Sequence, residues 1–198
     1  MAVFLVDGDN NPGKGPVTGT EFLTKEDRVI VFYASNNTYY KVEKNRESLI
    51  GKTSADVEFS MTACGKNAAD FAIAIKACSL ISEESLSEIF LISSDAHFDI
   101  IANLLKEQYG DKIKAKRVAS IMKGILYSPD RITDLDIAKE ILKMIAGEEG
   151  TTIYIRLKEL IEEETLRTLR GNAERTETVA GQRQGLLRKL LNGKRKNG

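Results

Sequence analysis

The sequence predicts an α/β fold: a three-layer α/β/α sandwich around a mostly parallel sheet, with a helical extension at the C-terminal side. Three observations predict it. Short apolar runs of strand length alternate with helical patterns along the first part of the chain. Most of these runs are apolar throughout, as strands covered on both faces require. After about Ser128 the strand-like runs cease and only helical spacing remains.

Val3-Phe4-Leu5-Val6 reads as a buried strand that stops in the turn-forming stretch Asp7-Gly8-Asp9-Asn10-Asn11-Pro12-Gly13. Val29 to Tyr33 is a second strand, closed by Ser35-Asn36-Asn37. Val57, Phe59 and Met61 alternate with polar residues and predict a half-exposed third strand. From Ala68 to Leu80 the spacing predicts a helix burying Phe71, Ile75, Cys78 and Leu80. Ile89 to Ile92 is a fourth strand, followed by Ser93-Ser94-Asp95. Phe98 to Tyr109 predicts a helix with Ile100, Ile101, Leu104 and Leu105 on its apolar face and Gly110 as its stop. A short fifth strand is expected between Ala115 and Ile121, after a basic stretch.

Further on, Thr133, Asp134 and Asp136 mark a helix start, followed by Ile137, Ile141, Leu142 and Ile145, with Gly147 and Gly150 as breakers. Leu157, Leu160, Ile161, Leu166 and Leu169 form another helical pattern. Gly171 to Gly185 is polar and unpatterned, as a flexible linker would be. Leu186, Leu187, Leu190 and Leu191 make a short amphipathic patch among basic neighbours. The expected organisation is an α/β domain over 1–127, a helical extension over 128–170 and a flexible basic tail over 171–198.

Composition narrows the function. Lysine plus arginine equals aspartate plus glutamate at 29 each, so no global basic field gathers nucleic acid. Arg183, Arg188, Lys189, Lys194, Arg195 and Lys196 nevertheless crowd the C-terminal end, where a solvated tail and a polyanion-binding arm are both open readings. No apolar run approaches the ~20 residues of a membrane span, and Met1 to Val6 lacks the basic leader of a secretory signal. Cys64 and Cys78 have neither disulfide nor zinc spacing and read as small core residues in a reducing compartment, with the cytoplasm as the expected location.

The chemistry is carried by aspartates. In a doubly wound sheet the functional residues lie at the carboxyl ends of the strands. Asp7 and Asp95 take that position, Asp70 sits in the first turn of its helix, and Asp99 follows Asp95 by one helical turn. Each alone has a plain explanation, since aspartate caps helices and fills turns. Together they converge on one cleft if the first and fourth strands are neighbours. Two carboxylates ~4 Å apart repel by roughly 4 kcal/mol at an effective dielectric near 20. Such a cluster calls for proton uptake or a divalent cation, and an all-oxygen donor set suits Mg²⁺ or Mn²⁺. Ions held this way serve metal-assisted phosphodiester hydrolysis.

These residues resemble the PIN-like nucleases, NYN branch, over roughly residues 1 to 125. The resemblance rests on a hydrophobic strand ending in Asp7-Gly8-Asp9-Asn10, on Gly65-Lys66-Asn67-Ala68-Ala69-Asp70-Phe71, and on Ser93-Ser94-Asp95-Ala96-His97-Phe98-Asp99. It implies a metal-dependent endoribonuclease acting on single-stranded RNA, with Asp7, Asp70, Asp95 and Asp99 on one or two metal ions and Asn10 orienting substrate or water. Lys66 is a candidate phosphate contact beside the plain reading of a solvated lysine, and Ser94 a candidate support for the neighbouring carboxylate. The role of Asp9 stays open, and His97 is either a proton donor or a solvent-facing side chain. The C-terminal helices offer a surface for a second copy or a protein partner.

Two other readings compete. A haloacid-dehalogenase-like phosphatase would use Asp7 as nucleophile and Asp9 as acid/base, with Ser35, Lys66 and Asp95-x₃-Asp99 on its later motifs. Asn11 departs from that pattern, and Asp70 has no task in it. A catalytically silent PIN-like module binding RNA or a protein is the third.

Overall fold

The structure is a computed structural model and describes residues 1–9, 17–35, 46–47, 49–83, 86–128, 132, 135–145, 147, 154–163, 165–167 and 170. Asn10, Tyr39, Tyr40, Thr133, Asp134, Leu169, the expected linker and the basic tail lie outside these residues. The chain divides into two compact units, Met1–Ser128 and Pro129–Gly198.

In the first unit five strands, β1 (Ala2–Asp7), β2 (Arg28–Ala34), β3 (Asp56–Thr62), β4 (Glu88–Ile92) and β5 (Lys114–Val118), form one sheet in the order β3-β2-β1-β4-β5. Every neighbouring pair is parallel. The chain winds outward from β1 to one edge, then crosses back to build the other half. The winding therefore reverses between β1 and β4, which in such sheets creates a crevice beyond the carboxyl ends. Register brings Val6 opposite Ile92, so the next residues, Asp7 and Ser93, leave the sheet side by side.

Alternation across the pleat fills two layers. Val3, Leu5, Ile89 and Leu91 point to one face, where they pack with Ile73, Ala77 and Leu80 of α1 (Ala68–Glu83) and Phe98, Ala102 and Leu105 of α2 (His97–Tyr109). Phe4 and Phe90 point to the other face and stack, ring centroids 5.2 Å apart. Against them lies α3 (Ile121–Tyr127), which begins where Ser120 accepts the Lys123 N–H at 3.2 Å. Gly124 makes this close approach fit, because a β-carbon there would stand 2.9 Å from the Phe4 ring.

The strands follow the sequence-based reading, whereas the helix faces do not. In α1 the buried side is Ala69, Ile73, Ala77 and Leu80, leaving Phe71 and Ile75 65% and 72% exposed and Cys78 exposed as well. The expectation that Phe71, Ile75 and Cys78 enter the core is thus corrected. The i, i+4 ladder through small alanines is the packed face, since alanine lets the helix sit close to the sheet. In α2, Phe98, Ala102 and Leu105 are buried, Ile101 is partly buried, and Ile100 and Leu104 face outward. Both cysteines, expected in the core, are free and exposed, and the Cys64 sulfur lies 3.0 Å from the Ser35 hydroxyl. Ile121 belongs to α3 rather than to the fifth strand.

In the second unit, α4 (Leu135–Met144) buries Ala138 and Ile141, with Ile145 buried just beyond it, and residues 154 to 163 are helical with Leu157 buried. No helix among the described residues is long and apolar enough to cross a membrane.

The assignment of the α1 faces has a direct test. Ile73→Ala is expected to cost about 2–5 kcal/mol, whereas Phe71→Ser stays within about 0.5 kcal/mol. Denaturant unfolding of the two variants checks it, and the reverse ranking would return Phe71 to the core.

Candidate active site

Asp7 closes the central strand and has no exposed surface. A carboxylate in that position needs polar partners, and the Ser93 hydroxyl donates to its Oδ2 at 2.8 Å. The same hydroxyl oxygen accepts the Asp95 N–H at 3.1 Å, turning the chain toward α2. The Ser93 carbonyl in turn accepts from the Arg117 guanidinium at 3.3 Å, and its N–H donates to the Val118 carbonyl at 3.2 Å. Ser93 is fully buried and Ser94 exposed, and it is Ser93, which the sequence reading did not single out, whose hydroxyl meets the Asp7 carboxylate.

The Asp7-Gly8-Asp9 step is shaped by the neighbouring strand. Gly8 donates to the Phe32 carbonyl at 2.8 Å, and a β-carbon at Gly8 would lie 2.6 Å from that same oxygen. Only glycine follows the strand this closely. Asp9 then accepts the Ala34 N–H with both carboxylate oxygens, each at 3.0 Å, tying the turn to the end of β2. Asp9 thereby has a structural task.

Asp70 enters from the first turn of α1. The turn before it places Asn67 at φ 62°, a left-handed conformation that asparagine tolerates better than most residues. The Asn67 carbonyl accepts from Phe71 N–H at 3.1 Å, and Lys66 is exposed in the same turn. The carboxyl of Asp70 is pushed above its ordinary value, first by burial and then by the charges of Asp7, Asp95 and Asp9, with His97 opposing. The structure therefore brings Asp7, Asp9 and Asp95 within electrostatic reach of Asp70.

Asp95 and Asp99 are held differently. Asp95 accepts the His97 N–H at 2.9 Å and faces its Nδ1 at 3.0 Å, which holds its carboxyl below the ordinary range. It thus holds the first N–H of α2 as well as belonging to the cluster. Asp99 pairs with Arg117 at 2.9 Å, and that hydrogen bond is the first cause of its lowered carboxyl. Its charge is not among the leading ones on Asp70. Arg117 went unmarked in the sequence beyond belonging to a basic stretch; only strand pairing shows that it sits beside Ser93.

The donor chemistry of Asp7, Asp70 and Asp95, all hard oxygen, fits a divalent cation such as Mg²⁺ or Mn²⁺. Repulsion at Asp70 is the strain such an ion would relieve. As they stand, no three acidic, histidine or cysteine side chains among the described residues are close enough to hold one ion. The two findings agree once distance is considered: charges act on one another well beyond the ~2 Å of a coordination bond.

A family model described as a PIN domain matches residues 1–116. The chain belongs to the PIN-domain family, whose members are in general metal-dependent nucleases. Neither the curated proteins nor the solved structures compared with it gave a match.

Asp70 sets a pH signature. Because its folded pKa is raised above 3.8, its ionised form costs stability, fully above the folded pKa and not at all below 3.8. Asp95 and Asp99 are lowered, so they contribute stability above 3.8 that is lost as pH falls through their folded values. Without divalent cation, Asp70→Asn is expected to raise Tm at pH 7 by about 2 °C, the gain vanishing as pH falls to 3.8. Thermal melts across that range check it. A variant less stable than wild type at pH 7 would show that Asp70 is a structural carboxylate.

Proposed function

We propose that this PIN domain is a metal-dependent endoribonuclease of the NYN type, hydrolysing single-stranded RNA at the aspartate cluster. The observation that carries this reading is the gathering of Asp7, Asp70 and Asp95 at the switch point of a PIN-domain sheet, where burial and then the charges of Asp7, Asp95 and Asp9 push the Asp70 carboxyl up. Asp7, Asp70 and Asp95 would hold Mg²⁺ or Mn²⁺, and Asp99 would join them on exchanging Arg117 for the ion. A bound divalent ion supplies charge stabilisation for the phosphoryl centre and a nucleophile at neutral pH.

The chain's own residues do the rest. Ser93 fixes the direction of the Asp7 carboxylate, Arg117 fixes Ser93, and the His97 contact orients Asp95. Asn10 and Lys66 are proposed for the substrate phosphates. The domain is proposed to span 1–127, followed by a helical extension over 128–170 that engages a partner or second copy, and a basic tail over 171–198. The cytoplasm is the proposed location.

The phosphatase reading gains no support. Its acid/base, Asp9, is engaged with the backbone of β2, and the PIN match covers the segment that would carry its motifs. Cleavage of labelled single-stranded RNA is expected with Mn²⁺ or Mg²⁺, to stop in EDTA, and to fall at least about a hundredfold in Asp70→Asn. Metal-dependent hydrolysis of a phosphomonoester that survives Asp70→Asn, with RNA left intact, would overturn the proposal. RNA binding in EDTA without cleavage under any metal would favour the silent module.

A further inference from the structure

The outer edge of β5 carries a feature that the aspartate cluster does not use. A groove of about 550 Å³ runs along it, with Lys106, Lys114, Lys116 and Tyr127 among the residues of its wall. Lys106 comes from the last turn of α2, Lys114 and Lys116 from β5, and Tyr127 from the end of α3. Three different elements thus direct ammonium groups or an aromatic ring into one depression. Asp111 is the acid in the lining, and the buried Glu88 nearby is engaged by Lys114 at 3.4 Å and by Ser128. The balance is cationic on a chain whose net charge is zero.

Tyr127 is 53% exposed, and the Lys116 ammonium lies 4.7 Å from its ring centroid. A half-exposed ring beside cations suits a polyanion that also carries flat aromatic groups. Lysines meet phosphates as point charges without reading sequence, and the ring offers a stacking face to any base.

Register sets the groove's distance from the aspartates. Val118 is level with Ile92 at the carboxyl end, and Lys114 is level with Glu88 at the opposite end. At ~3.3 Å per residue Lys116 lies about 7 Å and Lys114 about 13 Å along β5 from its carboxyl end. A strand stacked at ~3.4 Å per nucleotide covers these distances with about two to four nucleotides. Arg117, the next residue of β5 after Lys116, contacts Ser93 and Asp99 from the other face of the strand.

We propose that this groove holds the flanking segment of a single-stranded RNA whose scissile phosphate lies at the aspartates, an inference that rests on the nuclease reading. Lys106 and Lys116 contact backbone phosphates, and Tyr127 stacks on a base.

The test is binding of fluorescein-labelled oligouridylates of four and twelve nucleotides in EDTA, across a KCl series, with cleavage by Mn²⁺ measured in parallel. Lys114 is left in place because it compensates Glu88. For the double variant Lys106→Gln/Lys116→Gln, the twelve-mer is expected to bind about tenfold more weakly, its log–log salt slope reduced by roughly 1.4. The four-mer, long enough to lie in the groove by itself, is expected to weaken in parallel. Tyr127→Leu is expected to weaken twelve-mer binding about fivefold without altering that slope. Far-ultraviolet circular dichroism and Tm exclude misfolding, and glutamine keeps the lysine stems' packing. If the double variant binds and cleaves the twelve-mer like wild type, the groove proposal falls, the nuclease reading stands, and the groove is left to a protein partner. If wild type binds the twelve-mer with the expected lysine dependence but cleaves nothing, the nuclease reading falls and the groove remains an RNA site. No binding of either oligomer by wild type overturns the groove proposal outright.

Discussion

A carboxylate with no solvent contact at the end of the central strand is the constraint on which this site is built. Asp7 cannot be placed there without donors. One comes from Ser93, which β4 brings alongside because β1 and β4 are parallel neighbours. Ser93 is held in turn by Arg117 and Val118 of β5, and Arg117 by Asp99 of α2. The order β1-β4-β5 is thus the route by which three consecutive elements position one carboxyl group. On the other side, Gly8 and Asp9 fasten the same turn to β2.

Burial of acids is not in itself a sign of function, and the opposite end of the sheet shows why. Asp27 is also buried, yet it accepts from Ala2 N–H at 3.2 Å, Thr24 N–H at 3.0 Å and the Thr24 hydroxyl at 3.1 Å. Glu88 is buried with Lys114 and Ser128. These acids meet a backbone donor, a hydroxyl or a cation, and they pin strand starts together. At the carboxyl ends Asp7, Asp9, Asp95 and Asp99 have such partners too, but the leading influences on Asp70 are burial and other carboxylates. The difference lies in what surrounds each group, and strand direction decides at which end a crevice forms.

What the sequence disclosed divides along the same line. Strands were legible because continuous apolar runs have few other uses, and the aspartates because each stands directly beyond such a run or opens a helix. The helix faces were misjudged in α1 because Phe71 and Ile75 outweigh alanine in any hydrophobic pattern. Packing against a sheet rewards close approach instead, which Ala69 and Ala77 allow. Ser93 could not be joined to Asp7 without the β1–β4 register, nor Arg117 to Asp99 without the order of the sheet. Those are facts of pairing between distant segments, and spacing along one chain does not contain them.

The three acids around Asp7 also divide their labour by the partner each has. Asp95 leans on His97 and the start of α2, and Asp99 on Arg117; both are stabilised as anions by a donor from their own surroundings. For Asp70 the leading influences are burial and the neighbouring carboxylates, all of which oppose its charge. The helix dipole favours an acid in this first turn, but asparagine would hold the position without being opposed by burial and the neighbouring charges. Keeping an acid there makes sense where positive charge arrives from outside the chain. Of the acids at the switch point, Asp70 is therefore the one whose surroundings argue most directly for a cation.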